Sequence, residues 1–209
     1  STPFYSSAAS DVYKRQVVID AGHGGIDGGT SAADGTPEKT LNLQIAEKLR
    51  LMLDAMGVKT VMTRSDDDSI HDPSATTIRQ KKISDIKNRL KIIENTDNAV
   101  FVSIHQNHFG DSRYHGTQVF YSKNDPGSKM LAEAVRAQII TNLQKDNTRE
   151  VKQSGTEIYL LYHANVPAVM VECGFLSNAE ETAKLKDEGY QRELAFLTAL
   201  GVVDYLSGR

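Results

Sequence analysis

The chain has 209 residues, 39% of them hydrophobic and 24% charged, a length that suits one compact domain with a sizeable core. Lys and Arg number 24 against 27 Asp and Glu, for a net charge of −3, which excludes the basic excess by which a protein neutralises nucleic-acid phosphates. The single cysteine, Cys173, excludes an internal disulfide framework and a multi-cysteine metal site. With no apolar run near the roughly 20 residues that span a bilayer, a soluble globular domain is expected.

Residues 1–16, STPFYSSAASDVYKRQ, show neither helical nor strand periodicity and lack the charged start and apolar core of a signal peptide. They read as a disordered leader or a cloning or sequencing artefact, with no part in the fold. From Val17 the pattern is orderly, and one domain over 17–207 is expected. Val17-Val18-Ile19 reads as a buried strand emptying into the loop Asp20-Ala21-Gly22-His23-Gly24-Gly25. Thr36-Pro37-Glu38 gives an N-cap, a proline at the first helical position and an acid in the first turn. Leu41, Ile45, Leu49 and Leu53 then form a stripe at a spacing of four. Gly57 closes that helix, and Val58–Met62 is the next strand.

Residues 64–77 are polar and turn-rich and read as a surface loop. Ile83, Ile86, Leu90 and Ile93 mark a second helix, whose Lys and Arg residues look like its solvated face. Ala99–Ile104 is a continuous apolar strand running into His105, and Thr117–Tyr121 is another. Leu131, Val135, Ile139 and Leu143 mark a further helix. Ala168–Val171 is a last buried strand carrying Glu172, before a final helix through Leu194, Leu197, Leu200 and Val203. Continuously apolar strands alternating with helices predict an α/β sheet covered on both faces.

Ligands of open α/β sheets bind at the carboxyl ends of the strands, and three strands here lead into His23, His105 and Glu172. A lone histidine after a strand is usually a hydrogen-bonded loop residue, but Gly22, Gly24 and Gly25 clear the space around His23. Glu38 also fits an ordinary structural role, as a favourable charge against the helix dipole. Glu172, beside Val169-Met170-Val171, would be partly buried, where an unpaired carboxylate is costly. Two histidines and one carboxylate make a catalytic zinc set with a fourth position left for water, and a second carboxylate can carry the proton. The Gly22-His23-Gly24-Gly25 spacing does not fit a dinucleotide loop. Cys173 points away from its neighbour Glu172 and reads as a small apolar residue. His108 reads as a residue of the cleft rim, and His71, His115 and His163 as surface or structural.

These residues stand in blocks: Val18-Ile19-Asp20-Ala21-Gly22-His23-Gly24-Gly25, Glu38-Lys39, Met62-Thr63-Arg64, Ser103-Ile104-His105-Gln106-Asn107, Gly116–Tyr121 and Val171-Glu172-Cys173-Gly174-Phe175-Leu176-Ser177-Asn178. In that order they resemble the zinc-dependent N-acetylmuramoyl-L-alanine amidases of the amidase-3 type, from about Val17 to Leu206. The resemblance implies a mixed, mostly parallel sheet with helices on both faces, similar to zinc aminopeptidases and carboxypeptidases. It implies one Zn2+ per chain on His23, Glu38 and His105, with Glu172 as the catalytic acid–base; either the backbone amides of the Gly-rich loop or Asn107, as a substrate-binding residue, would then hold the oxyanion. The implied reaction is hydrolysis of the amide between N-acetylmuramic acid and L-alanine in peptidoglycan, outside the cytoplasmic membrane, with no nucleic-acid partner and with room for an activator protein. Gln106 and His108 depart from the small, apolar or aromatic residues expected there, which puts substrate contacts beside the metal in question.

The segment from Thr63 to Arg89 and Ser112-Arg113-Tyr114-His115-Gly116 resemble the spore-cortex and germination (CwlD-type) branch, which makes the peptide-free muramic acid that becomes muramic δ-lactam. Two other readings share the same residues. One is a zinc peptidase acting on ordinary peptides, and the other is a peptidoglycan-binding module without catalysis.

Overall fold

The computed structural model describes residues 15–208. Most of the leader-like stretch, residues 1–14, lies outside the described residues. Its last residue, Gln16, already pairs with Lys59 and Ala99 in the sheet. The strands are β1 (Gln16–Ala21), β2 (Lys59–Met62), β3 (Ala99–Asn107), β4 (Gln118–Tyr121), β5 (Lys152–Gln153) and β6 (Ala168–Phe175). They form one sheet in the order β2-β1-β3-β6-β4-β5. All neighbours run parallel except β4 and β6, which are antiparallel. The sheet is therefore mixed and mostly parallel, as expected.

Alternation along the central strands divides their side chains between two cores. Ile19, Val102, Val171 and Cys173 face one side. There they meet helices α1 (Glu38–Ala55), α3 (Gly127–Asn142) and α6 (Glu188–Leu206) through Leu41, Ile45, Leu131, Val135 and Leu194. Val18, Phe101, Ala168 and Met170 face the other side. That side is covered by α2 (Ile78–Glu94) and the short α4 (Tyr159–His163) through Ile93, Leu160 and Leu161. Helix α5 (Ala179–Lys186) follows β6 and is capped by the Asn178 side chain, which accepts from the backbone N–H groups of Glu180 and Glu181.

The spacing of four in α1 buries Leu41, Ile45, Leu49 and Leu53 completely or nearly so, and Gly57 ends the helix with φ of +81°. Its start differs from the expected Thr36 cap. Pro37 is the N-cap, no side chain caps the helix, and Glu38 is its first residue. The Glu38 carboxylate reaches into the site instead, where the hydrogen bonds described below hold it. Leu143 lies just past the end of α3 as its C-cap.

Helix α2 departs from its expected amphipathic face. Thr77 and Gln80 form a reciprocal capping box at its start, yet Ile83 is 44% exposed while Arg89 is 3% exposed. An arginine expected on the solvated face thus lies inside the molecule. The cause is a buried acid, Asp20 on β1, to which Arg89 donates at 2.6 Å.

Candidate metal centre

Strands β3 and β6 set His105 directly opposite Glu172 in parallel register. Both therefore project from the same face, the one against which α2 and α4 pack, and residues of both helices line the cleft there. His23 follows β1 by two residues and has φ of +62°, inside a turn whose Gly24 and Gly25 also take positive φ. That left-handed conformation is costly for a residue with a Cβ and persists only where surroundings enforce it. Here two buried arginines enforce it. Arg89 donates to the carbonyls of His23 at 2.6 Å and Ala21 at 2.8 Å. Arg64 donates to the carbonyls of Ala21 at 2.8 Å, Gly22 at 3.1 Å and Lys39 at 2.9 Å.

Asp20 anchors this support from below. It accepts from Arg89, from the Ser103 hydroxyl at 2.6 Å and from the Thr63 hydroxyl at 2.8 Å. Burial would raise its pKa, but the Arg89 charge and the hydrogen bonds from Ser103 and Arg89 hold it at about 2.

The His23, Glu38 and His105 side chains converge so that one donor atom from each lies within 4.8 Å of the others. Glu38 Oε1 stands 2.9 Å from His105 Nδ1, and Oε2 stands 3.3 Å from His23 Nε2. The same carboxylate accepts from the Gln106 backbone N–H at 3.1 Å, the Asn42 amide at 3.2 Å and the Thr30 N–H at 3.0 Å. Burial opposes its charge, yet the hydrogen bonds and charges of the two histidines keep Glu38 ionised well below the usual carboxylate range. Two glycines make the convergence sterically feasible. A Cβ on Gly22 would lie 2.2 Å from Nε2 of the His105 ring, and one on Gly29 would lie 2.7 Å from the His23 ring.

His23 Nδ1 is engaged by Asp27 at 2.9 Å, and Lys82 of α2 holds the other Asp27 oxygen at 2.7 Å. Burial lowers the pKa of His23, but its bonds to Asp27 and Glu38 outweigh that and raise it to about 9. A carboxylate on one imidazole nitrogen, with the other aimed at a cluster of donors, is the arrangement that orients metal-ligating histidines. Two imidazoles and a carboxylate also form a donor set suited to a zinc-type divalent cation with one open position.

Glu172 has no such partners. Its Oε2 is buried without a hydrogen bond, and burial pushes its pKa up to about 7, with His105 pulling the other way. A bound cation would relieve this orphaned acceptor. Cys173, one residue on, sits in the core at 1% exposure, and burial pushes its thiol far up; it plays no part at the site.

The cleft beside the cluster is about 340 Å³ and is lined by His23, Asp27, His105, Arg89, Lys82 and Ile86, among others. Asn107 is half-buried two residues beyond His105, and His108 is exposed. Gln106 is 3% exposed and donates to the Asn42 side chain at 3.2 Å. It therefore supports Asn42 and Glu38 from the far side of β3. Sequence reasoning passed over Asp27, Asn42 and Arg89. Only Asp27 carried a visible signal, as an acid four residues after His23 inside the glycine-rich turn.

The family model for N-acetylmuramoyl-L-alanine amidase matches residues 17–204. The germination-specific N-acetylmuramoyl-L-alanine amidase of Bacillus subtilis is 29% identical over 191 residues, covering 91% of this chain and 79% of the relative. A solved structure of the CwlD amidase from Clostridioides difficile, in complex with the GerS lipoprotein, superposes with a TM-score of 0.88 at 42% identity. It covers 93% of this chain and 99% of that one. The amidase AmiC2 of Nostoc punctiforme superposes with a TM-score of 0.79 at 30% identity, over 92% of this chain and 97% of its own.

Proposed function

The chain belongs to the N-acetylmuramoyl-L-alanine amidase family, and from that premise we propose that this peptidoglycan amidase works with one zinc ion held by His23, Glu38 and His105. The observation that carries the proposal is the convergence of those three donors beside a buried carboxylate oxygen with no partner of its own. When bound, zinc supplies a Lewis acid that activates water and polarises an amide carbonyl.

The remaining roles fall to the chain's own groups. Glu172, directly across the strand pair from His105, takes a proton from the attacking water and delivers it to the alanine nitrogen as the carbon–nitrogen bond breaks. The carbonyl carbon ends as the lactyl carboxylate, and the stem peptide leaves with a free L-alanine amino group. Asp27 keeps the His23 ring in one orientation, and the Gly-rich turn admits the substrate backbone beside it. Asn107, at the same end of β3, contacts substrate.

Likeness to the germination-specific and CwlD amidases supports a role in spore-cortex maturation. The product, a peptide-free muramic acid, is what a deacetylating and lactam-forming step requires. The same likeness supports an activator protein, since the CwlD structure was solved with a lipoprotein partner. The site of action then lies outside the cytoplasmic membrane, where the cortex is built.

Purified protein incubated with peptidoglycan, with and without added zinc, tests the proposal. Mass spectrometry should show new L-alanine amino termini and peptide-free muramic acid that depend on zinc. Release that is indifferent to chelator would refute the metal assignment. Spores lacking the protein should lose muramic δ-lactam, and unchanged cortex would refute the cortex role.

A further inference from the structure

Two residues beyond His105, the ladder between β3 and β6 slips. Asn107 pairs with Phe175, where a regular register would offer Gly174. A bulge of this kind re-aims the side chain that follows it. Cys173 remains in the core, and the extra residue of the bulge turns Phe175 towards the side that carries His105 and Glu172. Phe175 is 4% exposed and belongs to neither apolar core. It is covered instead by the Arg149 guanidinium, 4.6 Å from the ring centroid.

The same guanidinium lies 5.4 Å from the centroid of Tyr114. Tyr114 in turn packs 6.0 Å from Phe175 and edge-on, at 4.8 Å, to the exposed ring of Phe109. Arg149 Nε donates to the His115 carbonyl at 2.9 Å, which fixes the direction of the fork. Among the described residues no carboxylate pairs with it, whereas nearby Arg113 and Arg136 are paired with Asp111 and Glu150. A guanidinium braced on two rings and left without an acid is a preorganised site for a planar anion.

We propose that Arg149, held against Phe175 and Tyr114, binds a free carboxylate on the peptide side of the substrate and so selects which stem peptides are cut. The inference rests on the amidase reading for its substrate. The spacing along the strand pair is of the right order: Asn107, opposite Phe175, lies two residues of β3, about 6–7 Å, past His105. The α-carboxylate of the second stem residue, γ-linked after L-alanine, stands about 7 Å from the scissile amide when the peptide is extended. Amidation of that carboxylate removes the charge and leaves the guanidinium facing a weaker acceptor.

The test uses the zinc-loaded full chain and two stem peptides that differ only in a free or amidated α-carboxylate on the second residue, each with and without the muramyl group. Binding of the peptides is followed by NMR titration, and cleavage of the muramyl forms by mass spectrometry. The wild type should bind the free carboxylate at least about tenfold more tightly. The preference should vanish in Arg149→Gln, persist in part in Arg149→Lys and shrink in Tyr114→Ala. It should appear in KM rather than kcat. Equal binding of both peptides by the wild type, or a preference retained by Arg149→Gln with native circular dichroism, would overturn the proposal. Intact preference without any cleavage would support the carboxylate site and refute the amidase reading. Cleavage without preference would do the reverse.

Discussion

Replacing Arg89 with methionine keeps much of the side chain's length and removes its charge and every donor. In the native protein Arg89 donates to Asp20 at 2.6 Å, to Asp85 at 2.7 Å, and to the carbonyls of Ala21 and His23. Both members of the pair with Asp20 are nearly inaccessible, at 3% and 1%. Removing one partner of a buried pair leaves an uncompensated charge and costs about 3–5 kcal/mol, a large part of the stability of an ordinary domain. For a chain of this size that lowers Tm by roughly 6–20 °C.

The cost should depend on pH in a defined direction. Native Asp20, held at about 2 against an ordinary 3.8, contributes stability that is full above pH 3.8 and is lost as pH falls towards 2. In Arg89→Met the opposing burial dominates and raises the folded-state pKa above 3.8. The variant therefore gains stability as acid neutralises Asp20, so its deficit is largest at neutral pH and narrows towards pH 4. Urea titrations at pH 7 and pH 4 measure this, and zinc affinity reports the loosening of His23. A deficit below about 1 kcal/mol at pH 7, or one that widens on acidification, would refute the electrostatic account of Arg89.

Glu172→Ala should retain zinc and lose at least about 10²–10⁴ in turnover, and normal turnover at full zinc loading would remove Glu172 from the reaction. In the zinc-free protein the Glu172 carboxyl, followed by carbon-13 NMR, should titrate near 7. Zinc should move that titration downward because a nearby cation favours the carboxylate, and an unmoved curve would place the metal elsewhere. Asp27→Asn should weaken zinc binding by about 10–100-fold, measured by competition with a chelator, since Asp27 engages His23 Nδ1 at 2.9 Å. Unchanged affinity would show that the Gly-rich turn alone fixes the ring.

The parts of this protein legible in its sequence are those set by local period. Leu41 to Leu53 specify the buried face of α1, and apolar runs at 17–19, 99–102 and 168–171 specify strands covered on both sides. Polar residues that end such runs stand out because a buried strand gives a polar side chain few structural roles, and His105 and Glu172 can be singled out on that ground, while His23 stands out by the glycines around it. Arg89 stays hidden because helical period shows only that a cation lies on a polar face. It cannot tell water from Asp20, 69 residues earlier in the chain. Helices α4 and α5, at five and eight residues, are too short for a period to register.

The register slip after His105 is invisible for a different reason. Alternation counted along β6 places Cys173 correctly in the core, and the same count carried two residues further puts Phe175 there as well. Pairing with β3 breaks that count, because two strands must agree before a bulge exists. Its consequence is chemical. An aromatic ring that would have joined the core stands under Arg149, next to the strand pair that carries His105 and Glu172. The departure from the sequence pattern therefore falls where a cation is braced just beyond His105 and Glu172 on the same strand pair, and a regular β6 would leave Arg149 without its floor.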